Sequence, residues 1–303
     1  MLNRALPFIV FFLFNICWGQ EYVDLLKIDY LQSPQNQFEN SNTTSSLSEF
    51  TLGATLPLPI NEKHTFLTGV NYELISTQLD INSGTTNISN LIAKIGVNSK
   101  YSDTFSATYM LLPNIASDFK QIKSRDLQLG GLALFKFSKS PNMNYRLGLY
   151  AANELFGTFV VPLFGGYYLS PNNKFETTVL LPLNGDLNYR LNKSSKLGCY
   201  FKGQIKSYNI NTPIAQENER YLEKSTREMY LYYNYETGQG INFKLGVGRS
   251  IARTYSVYNE TVDLGLPLVF IGDDRTVLNS LFEDNWVFKL TVYYRYKLKA
   301  EVN

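Results

Sequence analysis

One histidine and two cysteines are all that this 303-residue chain offers toward the chemistry those residues carry. That supply is too small for a transition-metal site, and no carboxylate spacing follows a calcium loop, so neither a metal nor another cofactor is expected. Nucleophilic catalysis is equally short of parts, because the lipid hydrolases and acyl transferases found on membrane barrels need a base beside the nucleophile. His64 stands next to Lys63 at the start of an alternating stretch and is read as a solvated turn residue, with the chain a non-enzyme. The glycines Gly238, Gly240, Gly246 and Gly248 belong to a turn and a strand face and form no phosphate loop.

Charge is also scarce. Charged residues make up 18% of the chain, 28 basic against 26 acidic, which leaves no electrostatic footprint for a nucleic-acid partner. Helical periodicity is nearly missing, with one short candidate over 276–282. Long apolar runs are missing after residue 16. Before it, Arg4, the apolar stretch Ala5 to Ile16 and the small-x-small sequence Cys17-Trp18-Gly19 form a cleavable export signal. The run is shorter than the roughly 20 residues of a spanning helix. Lipid attachment at Cys17 is disfavoured because Phe14-Asn15-Ile16 lacks a small residue before the cysteine. Cleavage would remove residues 1–19, so that the mature chain of residues 20–303 begins at Gln20 or Glu21. Loss of Arg4 leaves 27 basic residues against 26 acidic, and Cys199 alone can form no intramolecular disulfide.

What the chain has in quantity is aromatic residues, 22 Tyr and 20 Phe, and alternation with period two. From Ile241 it reads Ile-Asn-Phe-Lys-Leu-Gly-Val-Gly; from Trp286 it reads Trp-Val-Phe-Lys-Leu-Thr-Val-Tyr-Tyr-Arg-Tyr-Lys-Leu. One face is apolar and the other carries Lys, Arg, Asn and Gly. Fourteen such stretches are expected: 22–31, 47–56, 64–76, 88–100, 104–112, 126–137, 143–150, 158–169, 174–182, 186–191, 196–208, 226–236, 241–258 and 286–298. The ninth and tenth, separated by Leu183-Asn184-Gly185, could equally be one kinked strand. The eighth is interrupted by Pro162 and Gly165-Gly166.

The links fall into two alternating classes. Those after the even-numbered strands are short and rich in turn residues, as in Tyr101-Ser102-Asp103 and Ser170-Pro171-Asn172-Asn173. Those after strands 1, 3, 5, 11 and 13 are long and polar. Short turns on one rim and long loops on the other predict an all-β fold, a closed antiparallel transmembrane up-and-down β-barrel of about 12 to 14 strands, with both termini periplasmic. Aromatic residues expected to face outward near the short-turn rim are Phe66, Phe135, Phe137, Tyr145, Tyr167, Phe175, Tyr233, Tyr235, Phe243, Tyr294 and Tyr296, with Trp286 at the opposite rim. The rival fold is a soluble β-sandwich, whose strands also alternate but turn their apolar face inward. The membrane reading places one domain in the cell outer membrane, against its lipid and lipopolysaccharide.

The stretch Pro162-Leu-Phe-Gly-Gly-Tyr-Tyr-Leu-Ser-Pro-Asn-Asn-Lys-Phe-Glu-Thr-Thr-Val-Leu-Leu-Pro-Leu-Asn-Gly-Asp-Leu-Asn-Tyr-Arg-Leu191 resembles an uncharacterised Gram-negative outer-membrane barrel family, catalogued as a domain of unknown function. Elsewhere the likeness is one of layout: export signal, paired strands and a tyrosine-rich last strand. The resemblance implies fold and location; the family has no assigned activity or site residues to carry over.

Turning the polar face inward puts Lys27, Lys94, Lys136, Arg146, Lys174, Arg190, Lys202, Lys206, Lys244, Lys289, Arg295 and Lys297 toward the axis. Facing them are Asp29, Glu49, Glu73, Glu176, Asp186 and Glu228, with Gly198, Gly246 and Gly248 leaving room. The candidate site residues are the basic set Lys94, Arg146, Arg190, Lys202, Lys206, Lys244, Lys289 and Arg295. A wall with excess positive charge concentrates anions, so the expected function is a passive or selective channel for small anionic solutes. Two alternatives stand beside it. The charges pair and plug a closed structural or partner-binding barrel that acts through its long loops, or, more remotely, the barrel is a lipid-modifying enzyme centred on His64. In the link 259–285, the apolar run Leu264 to Ile271 is expected to cap the rim, fold inward as a constriction or bind a partner. Its acidic residues Asp273, Asp274, Glu283 and Asp284 are candidates to bridge divalent cations among headgroups.

Overall fold

The computed structural model describes residues 22–211 and 220–297; the expected leader, residues 1–19, lies outside them. In chain order the strands are β1 (Tyr22–Gln37), β2 (Thr44–Pro59), β3 (His64–Gln78), β4 (Thr85–Lys100), β5 (Phe105–Ser117), β6 (Leu127–Ser140), β7 (Met143–Glu154), β8 (Gly157–Leu169), β9 (Phe175–Leu181), β10 (Asn184–Arg190), β11 (Ser195–Asn209), β12 (Tyr221–Glu236), β13 (Ile241–Ser250), β14 (Thr254–Tyr258), β15 (Leu264–Gly265), β16 (Phe270–Ile271) and β17 (Trp286–Lys297). Strands β1 to β12 each pair antiparallel with the next; β13 then pairs with β17, and β17 with β1. The result is a closed barrel of fourteen strands, with β14, β15 and β16 in the link before the last one.

Closure follows from where the apolar side chains point. Opposed pairs alternate strictly: Phe50 faces Leu74 on the outside, while Thr51 faces Glu73 on the inside. The outside is a belt of exposed Leu, Ile, Val, Phe and Tyr, including Leu231, Leu245, Leu111 and Phe164. A soluble sandwich would bury these residues; here they can be satisfied only by lipid, and in lipid an open sheet edge would strand its backbone N–H and C=O groups. The barrel is therefore transmembrane.

Six links on one rim, the near rim, run over 60–63, 101–104, 141–142, 170–174, 191–194 and 237–240. Side-chain turns fix several of them. Asn61 Oδ1 accepts from the backbone N–H of Lys63 (2.9 Å) and His64 (2.8 Å), and Asn192 Oδ1 from that of Ser194 (2.9 Å). The far rim has the longer links, ending with 251–285, but two are tight: 155–156 and 182–183.

Three expectations change and one alternative is settled. The stretch 241–258 is two strands, because β17 starts only at Trp286 and offers no partner beyond Arg249; β14 pairs with β12 alone. Between them Ala252 takes φ 52°, and Asp284 accepts from the N–H groups of Ala252 (2.5 Å) and Arg253 (3.0 Å). Strands β9 and β10 form a hairpin with each other and are not one kinked strand. Residues 276–282 are irregular, and the one helical element among the described residues is a single 3-10 turn, Ser124–Asp126. Tyr167 faces inward, buried, and donates to Glu176 Oε1 (3.4 Å); its outward neighbour is Tyr168. The other ten near-rim aromatics stand on the outer face, and Trp286 is exposed at the far end of β17.

One part of the wall is low. Strands β9 and β10 have seven residues each, whereas their neighbours β8 and β11 have 13 and 15. Ring pairing therefore stops at Phe164 on β8 and at Lys202 on β11, leaving Gly157–Leu163 and residues 203–209 without a wall strand between them. The far end of β11 crosses the interior instead. Asn209 pairs with Ser117 of β5, and the Ser207 N–H donates to Glu154 Oε2 (2.9 Å).

A sealed layer above a cationic chamber

The inward face of the barrel divides along its axis. In the far half, Lys224 of β12 reaches across to β2 and β3. Its Nζ lies 2.9 Å from Glu49 Oε1 and 2.9 Å from Glu73 Oε1. Tyr208 donates to Glu73 Oε2 (2.6 Å) and Tyr255 to Glu49 Oε1 (2.5 Å). A second arm joins Lys206 Nζ to Glu154 Oε1 (2.9 Å) and to Gln128. All eight side chains are buried. Leu31, Phe38, Leu47, Ile75, Ile88, Leu222, Val257 and Phe282 pack as one apolar cluster with Tyr208 and Tyr255 of this network. Charges taken out of water persist only when neighbours satisfy them; here Glu49 and Glu73 are each met by a lysine and a tyrosine hydroxyl, and Glu154 by Lys206 and the Ser207 hydroxyl. The far half is thus crossed by a sealed layer and filled except for a cavity beside β8 and β11.

In the near half, β1, β10, β11, β12, β13 and β17 surround a chamber of about 190 Å³. Lys27, Lys244, Lys289 and Arg295 line it together with Asp24 and Asp186. Lys244 Nζ is 2.9 Å from Asp186 Oδ2 and sits 3.9 Å from the centre of the Tyr232 ring. Lys289 lies over Tyr200 and Tyr230 at 5.9 and 5.7 Å and is 3.6 Å from Asp29. Arg295 grips Asp24 with two hydrogen bonds, 2.7 and 3.1 Å. The tyrosine faces attract the ammonium groups and hold them upright. Gly198 makes this possible: a Cβ there would lie 2.4 Å from Cζ of Tyr232, so the ring can cross the strand only above a glycine.

The sequence candidates separate accordingly. Lys244, Lys289 and Arg295 line the chamber, and Lys206 belongs to the sealed layer. Lys94 donates to Thr55 Oγ1 (2.9 Å), and Arg146 donates to Asn144 Oδ1 (3.1 Å). Lys202 stands opposite Glu228, and Arg190 opposite Lys196. Lys196 and Lys224 are inward cations that the sequence reading omitted. Lys196 keeps parity with Gly198 and was legible; Lys224 lies two residues before the expected start of its strand. His64 meets Ser99 Oγ through Nδ1 (2.9 Å) at the near rim. Among the described residues no group of three His, Cys, Asp or Glu side chains is placed to hold a metal.

The long link supplies the lid. Leu278 N–H donates to Val257 O (2.9 Å), and Phe282 stacks edge-on against Phe38 at 6.0 Å. Arg275 ties the lid to β12 through Glu223 (2.7 Å) while pairing with Asp273 (2.8 Å). Asp273 and Asp284 thus hold the loop to itself: the first is neutralised by Arg275, and the second accepts backbone N–H groups. The expected capping role is met without a helix.

A closed fourteen-stranded barrel with an apolar outside and a partly filled polar inside defines a β-barrel membrane protein. The chain belongs to the DUF6268 family, described as a domain of unknown function, whose profile matches residues 21–264. No curated protein matches it in sequence. Among solved structures it is similar to the COG4313 outer membrane channel from Pseudomonas putida F1, at 8% identity over 92% of this chain and 98% of that one, TM-score 0.48. It is also similar to the NanC porin, at 9% identity over 89% and 98%, TM-score 0.35. A mutant of the TodX monoaromatic hydrocarbon channel matches at 11% identity over 90% of each chain, TM-score 0.38. These likenesses are of barrel form.

Proposed function

We propose that the protein is a gated outer-membrane channel for small anionic solutes, with both termini and the short turns in the periplasm, embedded in outer-membrane lipid and lipopolysaccharide after loss of residues 1–19. The carrying observation is the chamber, where Lys27, Lys244, Lys289 and Arg295 outnumber Asp24, Asp186 and the adjoining Asp29, and where Lys244, Lys289 and Arg295 are held over tyrosine rings. Such a wall raises the local anion concentration. The Lys224 layer and the lid of residues 251–285 support a resting state closed toward the cell surface. The role is one of passage, without a catalytic step.

Purified protein in planar lipid bilayers tests this. The intact chain is expected to be nearly silent. A variant with residues 259–275 replaced by a short Gly-Ser link, combined with Lys224→Gln, Glu49→Gln and Glu73→Gln, is expected to conduct with anion preference. Lys244→Glu with Lys289→Glu should reverse that preference. A variant that stays silent, although its gel mobility still shifts on boiling, favours the second reading, a closed barrel that binds partners through its far-rim loops. That reading has its own support in the sealed layer of the far half.

A further inference from the structure

The low wall at β9 and β10 exposes a second cavity, separate from the chamber. Seven residues at about 3.3 Å each, tilted by about 40°, rise roughly 17 Å, less than the roughly 25 Å apolar band of such a barrel. The exposed rings of Phe175 and Tyr189 mark the near end of this hairpin. Its tip, Pro182-Leu183, therefore ends at a depth where lipid tails still surround the wall. Above the tip no wall strand joins β8 to β11; the facing edge of β8 carries only the Phe159–Gly265 pairing with β15 of the long link, and a gap remains between the two strands.

Behind that gap lies a cavity of about 340 Å³. One side is inward-facing Leu132, Tyr150 and Val161; the other is outward-facing Phe201 and Ile205 of β11, which can meet them only because β11 bends into the barrel. Pro267 and Leu268 of the long link form the roof, tied by Arg227 Nη2 donating to Pro267 O (3.3 Å). Polar residues interrupt this apolar lining: Thr226, the already partnered Lys206 and Arg227, and two amides. Asn90 Oδ1 and Gln204 Oε1 are buried and have no hydrogen-bond partner among the described residues. Both are acceptors.

We infer that this cavity binds a lipophilic molecule with a single apolar tail and one neutral hydrogen-bond-donating head, an alcohol or primary amide, that enters through the gap from the outer leaflet. The tail fills the apolar lining; the head supplies the donor that Asn90 and Gln204 lack. Buried acceptors left unmatched discriminate strongly against ligands without a donor. The inference is independent of conduction through the chamber.

The test uses decanol carrying a diazirine in its tail, dissolved in phosphatidylcholine vesicles that hold the mature protein. After irradiation, label is expected on β8 and β11 near Val161 and Ile205. Leu132→Trp, which fills the cavity, should lower labelling there about tenfold, and Leu112→Trp serves if that variant fails the gel-mobility check for folding. The methyl ether of the same probe should label about tenfold less than the alcohol. Asn90→Leu with Gln204→Leu should erase the difference between alcohol and ether. Label spread evenly over outward residues such as Leu231 and Leu245, and indifferent to the filling substitutions, overturns the site. Equal labelling by alcohol and ether overturns the assigned head group. Labelling that fails when the probe is delivered in the bilayer, and succeeds from buffer, overturns the lateral route.

Discussion

Lys224 holds two carboxylates from the opposite wall, and removing it would leave Glu49 and Glu73 buried without a counter-charge. Lys224→Met is therefore expected to cost about 3–5 kcal/mol, read by urea unfolding in detergent micelles. Adding Glu49→Gln and Glu73→Gln should return most of it, since the cost lies in the orphaned charges and not in the lost pair. A single substitution costing under about 1 kcal/mol would show that the layer is not sealed from water. Gly198 carries a different constraint. A Cβ there would meet both the Tyr232 ring and Leu187 O, at 2.4 and 2.6 Å. Gly198→Val should lower stability by about 1–3 kcal/mol through overpacking, measured by the same unfolding, and displace the ring beneath Lys244.

At the scale of elements, the lid responds to acid. The side-chain hydrogen bond from Arg275 holds the Asp273 carboxyl below its ordinary value. A depressed carboxyl stabilises the docked loop at pH above its undocked pKa of about 4, and this support is lost as pH falls through the lower, docked value. Hydrogen exchange over residues 259–285 should be slow at pH 7 and faster, after correction for the intrinsic rate, near pH 3. Arg275→Ala should show the fast behaviour already at pH 7; slow exchange in that variant would mean that the apolar contacts alone hold the loop. Elements were also where the sequence spoke most clearly. Alternation is local, so fourteen stretches emerge from it in the right places, and the Asn- and Ser-rich turns between them follow from short-range hydrogen bonding. Parity failed at Tyr167-Tyr168, where two rings in tandem carry no sign of which faces lipid. The sealed layer was not legible, because Lys224, Glu49 and Glu73 meet only across the barrel and nothing in their neighbourhoods names the partner. For the same reason the choice between open lumen and plug has a divided answer: a sealed layer crosses the far half, and the near half holds a polar chamber.

For the whole molecule, every ring strand is hydrogen-bonded to a neighbour on both sides, β8 and β11 over only about half of one edge, and the belt outside is apolar. The protein should need detergent to remain dispersed, and its gel mobility should change on boiling, as a barrel that resists unheated dodecyl sulfate unfolds. A monomer stable in plain buffer, with mobility unaffected by heat, would contradict the orientation of the whole sheet.

The seam between β1 and β17 gives this architecture a temporal order. Asp29 and Thr291 touch across 262 positions of chain, and both flanks of the sheet remain bare until they do. Hairpins can assemble early and independently, but completion waits for the most distant pair, so the slow event in biogenesis is the docking of the first strand onto the last. A ribosome that stalls before Trp286 would release not a smaller cylinder but a sticky ribbon, a natural target for chaperones and proteases.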